Sequence, residues 1–244
     1  MKYKAKQLLA PNVFLIGCLE NECVLKVIHW CNATPPCCLQ QPLCWTMQEW
    51  HASLARERDT LTFPRTQILH YPEYRDVITS RAIVEVASHV YSFDLGVVME
   101  YIPRVCAPIN SRMISDSAIK EEVVNIIRTI KYGNQHGLYH MDVRNNIVVT
   151  TESQLWLLDW TGVVSRENPN GYVPASYIEQ RIDVFKNIAY YQLQQLLDSI
   201  WIELSDFINP NISLTQLVEF VSEVKTTGEN WATALDKAMN YTFI

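Results

Sequence analysis

Apolar positions change their period along the chain, and the changes mark alternating blocks of strand and helix. Asn12–Leu19 and Cys23–Ile28 are short β-branched or apolar runs around the polar Glu20-Asn21-Glu22, which predicts two strands joined by a tight turn. Met47 to Leu61 reads as a helix, and Leu95-Gly96-Val97-Val98-Met99 as a strand that gives way to Glu100-Tyr101-Ile102-Pro103. Between Ser115 and Tyr132, Ile119, Val123, Ile126, Ile127 and Ile130 recur at helical spacing, with Asp116 and Ser117 as start signals and Gly133 as the stop. Ile147–Thr150, the polar Thr151-Glu152-Ser153-Gln154 and Leu155–Leu158 predict a β-hairpin. Helical patterns follow around Leu193 to Leu204, Leu214 to Lys225 and Trp231 to Tyr241.

The chemistry gathers on the hairpin. Asp142 and Asn146 lie just before its first strand and Asp159 just after its second, so pairing the strands draws two carboxylates and an amide together. Such a cluster suits the Mg2+ and ATP of phosphoryl transfer. Upstream, Lys26 interrupts the apolar strand Val24-Leu25-Lys26-Val27-Ile28, and an ammonium buried there needs an anionic partner.

His140-Met141-Asp142-Val143-Arg144-Asn145-Asn146 followed by Asp159-Trp160 resembles the catalytic loop and metal-binding motif of the protein-kinase-like superfamily, its Asp-Trp version looking more like the atypical kinase-like and aminoglycoside-phosphotransferase-like proteins common in fungi than like a regulatory eukaryotic kinase. One departure matters. The family separates the catalytic Asp from the Asn by five residues, whereas here the step is 146 − 142 = 4. Asp183-Val184-Phe185 is similar to the opening of the family's central helix, whose Asp caps the catalytic loop. No glycine triad stands near Gln7–Asn12, where the family's phosphate-covering turn would fall.

The resemblance implies an α+β, two-lobed protein-kinase-like fold. It would have a small antiparallel-sheet lobe over 1–103, carrying a Cys- and Pro-rich insertion at 31–44, and a mostly helical lobe over 104–244. The chain is short for such a fold, and the shortfall is expected in the first strands, the segment after Asp159 and the C-terminus. It further implies that Lys26 holds the α- and β-phosphates and is steered by a helix carboxylate, Glu57 in preference to Glu49. Met99, Glu100, Tyr101 and Ile102 would line or hydrogen-bond the adenine. Asp159 and Asn146 would bind Mg2+, and Asp142 would orient the acceptor hydroxyl and receive its proton. Arg144 would lie near the transferred phosphate or pair with Asp142, and His140 would support the loop. The cofactors are then ATP and Mg2+, and the partners a nucleotide and a protein or small-molecule phosphoacceptor. The alternative is a pseudokinase serving as a binding or scaffold module, to which the short loop and missing glycines point.

Composition narrows the setting. The 244 residues are 48% hydrophobic and 19% charged, ordinary values for a globular protein. A net charge of −6 without a Lys/Arg run argues against nucleic acid as a partner. No segment approaches the roughly 20 apolar residues that span a bilayer, so no membrane partner is expected. Met1–Cys18 superficially resembles a leader, but Pro11 and Asn12 break its apolar run. Seven cysteines, an odd count, suggest reduced thiols in the cytoplasm. Cys31, Cys37, Cys38 and Cys44 cluster, yet they lack the paired Cys-x-x-Cys knuckle of a zinc site.

Overall fold

Lys2–Ala10 form β1, a strand that the reading above assigned to missing length. Its alternation was legible: Lys2, Lys4 and Lys6 face solvent, while Tyr3 and Ala5 pack on an apolar core. The computed structural model describes residues 1–18, 21–31, 47–61, 69–105, 114–165, 187–207 and 214–242. Cys37, Cys38, Cys44 and Asp183-Val184-Phe185 lie outside them. The chain divides into two compact units, Met1–Pro64 with Pro72–Ile102, and Arg65–Tyr71 with Pro103–Ile244.

In the first unit β2 (Val13–Gly17), β3 (Glu22–Trp30), β4 (Tyr74–Ile78), β5 (Ala82–Val86) and β6 (His89–Glu100) join β1 in a six-stranded sheet of order β3-β2-β1-β5-β6-β4. A further pairing of β3 with β6 closes β3-β2-β1-β5-β6 on itself. The sheet is not wholly antiparallel as expected: β1 runs parallel to β5, with Lys2 opposite Ile83 and Ala5 opposite Val86. β1 is paired on both sides by β2 and β5, and closure gives β3 a second partner in β6, removing the open edge that this nine-residue strand would expose. Phe14, Ile16, Leu25, Val27, Val84 and Phe93 fill the interior, and Trp30 packs edge-on against Phe14 and Tyr91. The helix α1 (Met47–Leu61) packs on β4.

Cys18 and Cys23 form a disulfide across the β2–β3 turn, with Cα atoms 6.0 Å apart, so the expectation of reduced thiols does not hold for this pair. Cys31 is a free thiol.

The second unit is built on α2 (Asp116–Gln135), whose Ile119, Val123, Ile126, Ile127 and Ile130 are wholly buried. Ser115 caps its start by accepting from the Ala118 N–H. Gly133, expected to stop the helix, lies inside it. The chain leaves the helix past His136, through Gly137 at φ +74°. Among the described residues there follow β7 (Leu138–Tyr139), β8 (Ile147–Val149), β9 (Leu155–Leu157), β10 (Val164–Ser165) and the helices α3 (Ile188–Asp198), α4 (Thr215–Thr227) and α5 (Trp231–Thr242). A π-helical turn, Ser199–Glu203, extends α3. Among the described residues no helix is long and apolar enough to cross a membrane.

Candidate active site

Two short antiparallel pairings frame the loop that carries the acidic residues. β7 pairs with β10, Tyr139 opposite Val164, and β8 pairs with β9, Ile147 opposite Leu157. The second ladder is prolonged by the Leu158 N–H donating to the Asn146 carbonyl at 2.8 Å. Asp142 and Asn146 therefore start one side of the hairpin and Asp159 leaves the other.

His140 ties the two sides together. Its Nδ1 accepts from the Asp142 N–H at 3.3 Å, which leaves Nε2 as the protonated nitrogen, and Nε2 donates to the Leu158 carbonyl at 2.9 Å. The side chain is 1% exposed and its ring stands edge-on to Trp160. With both nitrogens engaged, this imidazole fixes geometry.

The four-residue step from Asp142 to Asn146 closes as a turn. Asn145 takes φ +67°, a conformation Asn tolerates better than most residues, and the Asn146 N–H reaches the Val143 carbonyl at 3.3 Å. Asn146 Nδ2 then donates to the Asp142 carbonyl at 2.7 Å and to Asp142 Oδ2 at 3.1 Å. Its amide hydrogens thus serve the loop, and Oδ1 is the atom able to take a cation. Asp159 sits at φ +55°, and Trp160 behind it is buried with Nε1 donating to the Leu157 carbonyl at 3.0 Å.

Arg144 reaches outward, its Nε pairing with Glu203 Oε1 at 2.8 Å. The other carboxylate oxygen accepts from the Asn145 N–H at 2.9 Å and from Ser199 Oγ at 3.3 Å. From α3, Gln195 Nε2 donates to the Met141 carbonyl at 2.8 Å and Gln192 Nε2 to the His140 carbonyl at 3.2 Å. Sequence reasoning missed Gln192, Gln195 and Glu203. A signal was there: the two glutamines recur at i, i+3 on the apolar face of Ile188, Leu193 and Leu196, where an amide must find partners. Tyr191, beside Met141 in the same apolar cluster, has its phenol pKa pushed up by burial.

The remaining predicted residues belong to the first unit. Lys26 stands on β3 opposite Val13 and Val97, half-buried, on the face away from Leu25 and Val27. Glu57 is wholly buried on α1 and accepts from Ser53 Oγ at 2.9 Å and Tyr74 Oη at 3.1 Å, whereas Glu49 is exposed. Met99 and Ile102 are buried and Tyr101 half-buried. Glu100 has its N–H committed to the Glu73 carbonyl at 2.9 Å, and its carboxylate accepts from the Glu73 N–H at 3.2 Å. The β1–β2 connection is only Pro11-Asn12, and Asn12 is fastened to β3: its Nδ2 donates to the Val27 carbonyl at 2.9 Å and its carbonyl accepts from the Val27 N–H at 2.8 Å.

The donors suit a hard cation. Asp142, Asn146 and Asp159 offer oxygen only, the ligand type Mg2+ takes, and Mg2+ commonly uses one or two carboxylates with water and phosphate completing its shell. Among the described residues no group of three or more His, Cys, Asp and Glu could hold a metal by itself, so no closed all-protein cage is present there.

No family model matches the sequence, and no curated protein matches it. Among solved structures, a mutant of the kinase domain of PknI from Mycobacterium tuberculosis aligns over 99% of this chain and 96% of its own, with a TM-score of 0.57 and 17% sequence identity. At that identity the likeness speaks to architecture alone, and it supports a protein-kinase-like fold for this chain.

Proposed function

We propose that the protein is an ATP- and Mg2+-dependent phosphotransferase that moves the γ-phosphoryl group to a hydroxyl of a protein or a small molecule. The observation that carries this reading is the His140 tie, through which the backbone of Asp142 and the residue preceding Asp159 are held by one imidazole. Phosphoryl transfer asks a protein for positioning and charge neutralisation more than for covalent chemistry, and two carboxylates carried on a tied backbone at a hairpin mouth suit that need. Asp159 and Asn146 Oδ1 would hold the cation, which would supply charge neutralisation at the phosphate oxygens. Asp142 orients the acceptor hydroxyl and takes its proton. Lys26, with Glu57, serves the α- and β-phosphates. The adenine takes its backbone hydrogen bonds from Tyr101 and Ile102, since the Glu100 N–H is already used. Likeness to a protein kinase domain agrees with phosphotransfer.

A second reading, a pseudokinase that binds or scaffolds, is favoured by one feature. The Pro11-Asn12 turn has no glycine and is fastened to Val27, so it offers no backbone cradle of N–H groups to a triphosphate. Calorimetry of ATP binding with and without Mg2+, on the protein and on Asp159→Ala, separates the two. Mg2+-dependent binding in the micromolar to submillimolar range that disappears in the variant is the expected result. Absence of binding in both proteins, or equal metal-independent binding, rejects the phosphotransferase and leaves the scaffold.

A further inference from the structure

Several backbone groups around Asp142 are held by side chains. The Asp142 N–H goes to His140 and its carbonyl to Asn146. The His140 carbonyl goes to Gln192, and the Met141 carbonyl and Arg144 N–H both go to Gln195. Gln195 is the only one of these side chains to reach both sides of Asp142. Its planar amide donates through Nε2 to Met141 at 2.8 Å and accepts through Oε1 from Arg144 at 3.2 Å, so one rigid group sets the span of backbone that carries Asp142 and Val143. Gln192 stiffens the same helix face by a reciprocal amide pair with Asn134 of α2, at 2.9 and 3.0 Å. Both glutamines are wholly buried, where an unpaired amide is costly, so these partners are strongly enforced.

A glutamine has the right chemistry for this place. A carboxylate would accept from Arg144 but repel the Met141 carbonyl, and an aliphatic side chain would leave both backbone groups unpaired. The loop is one residue shorter than the family pattern, so the register of Asp142 depends on what grips it from outside.

We propose that Gln195 is a positioning residue, whose amide spans Met141 and Arg144 and thereby fixes where the Asp142 carboxylate stands. The role in catalysis rests on the phosphotransferase reading; the grip on the loop does not.

The test uses the full chain with Gln195→Leu, Gln195→Met and Gln195→Glu, reading amide hydrogen exchange at Arg144 and in α2 together with Mg·ATP-dependent turnover. For Leu and Met we expect Arg144 exchange at least tenfold faster with α2 protection unchanged, and kcat at least tenfold lower with the KM for ATP within about twofold. Gln195→Glu regains both hydrogen bonds when its carboxyl is protonated, so its turnover relative to the original protein rises as pH falls, a signature that a side chain merely filling space would not give. Arg144 exchange and turnover equal to the unmodified protein would overturn the proposal, as would an equal loss of protection in the loop and α2. If the unmodified protein transfers no phosphate, the phosphotransferase reading fails alone, and Arg144 exchange still decides the grip. If Leu and Met do not fold, Gln195→Glu compared at low and neutral pH decides it.

Discussion

The Nε2 of His140 donates to the carbonyl of Leu158 at 2.9 Å, joining the residue two before Asp142 to the residue one before Asp159. The two residues are eighteen apart in sequence, and His140 is 1% exposed while Leu158 is half-buried. His140→Phe keeps a ring against Trp160 while leaving the Leu158 carbonyl and the Asp142 N–H without this partner. Both groups are half-buried, so each loss falls toward the low end of the about 1–3 kcal/mol of a buried group, and urea unfolding should show a loss of roughly 1–3 kcal/mol. A loss below about 0.5 kcal/mol, the scale of a neutral surface change, would sink the idea that this imidazole holds the loop.

Gly133 is required by Trp160. A Cβ built there would stand 2.5 Å from Cζ3 of the indole and 3.0 Å from the Leu138 carbonyl oxygen. Gly133→Ala gains about 1 kcal/mol of helix propensity but forces the indole or the helix to move, an overpacking cost of about 1–3 kcal/mol. A net fall in thermal stability is expected by calorimetry. Trp160→Leu opens a cavity of its own, so the clash is read as a coupling: Gly133→Ala should cost less stability in a Trp160→Leu background than in the original protein. A stabilised Gly133→Ala would show that the indole yields freely.

Glu57 is a carboxylate with no exposed surface, bonded to Ser53 and Tyr74. Glu57→Ala opens a cavity and removes the acceptor that Ser53 and Tyr74 share, so chemical denaturation should reveal a loss of about 2–4 kcal/mol. Glu57→Gln keeps the shape and should lose less. If Glu57 also steers Lys26, both substitutions weaken nucleotide binding in calorimetry; unchanged binding in a folded Glu57→Gln would reassign the residue to packing alone.

Lys2 and Glu85 pair at 2.7 Å across the parallel β1–β5 seam. The hydrogen bond from Lys2, then its charge, lower the Glu85 pKa below the ordinary 4.5. A carboxyl depressed by folding contributes stability above its unfolded pKa and loses it as pH falls through the folded value, so the seam weakens only in acid. An NMR titration of Glu85 should give a midpoint below 4.5 that returns toward it in Lys2→Gln. The pair is solvent-exposed, so high salt should have the same effect. A midpoint indifferent to Lys2 would reject the contact.

Periodicity and motif spacing by themselves determined much of this protein. The hairpin of Ile147–Val149 and Leu155–Leu157, the helix over Asp116–Gln135, the strand around Lys26 and the helices that end the chain all follow from local alternation, because half-buried strands and helices must show apolar residues at periods near 2 and 3.6. The clustering of Asp142, Asn146 and Asp159 follows from the same hairpin. What only the tertiary structure decided was pairing between distant segments. The pairing of β1 with β5 needed a partner 81 residues away, the distance from Lys2 to Ile83. Gly133 read as a stop because its neighbour across the fold, Trp160, is invisible to a local window. Gln195 and Glu203 became part of the candidate site only when α3 and its π-helical extension came to lie under the loop. The physical reason is common to all three: backbone groups and buried amides choose partners by proximity in space, and sequence spacing encodes proximity only within an element or one tight turn.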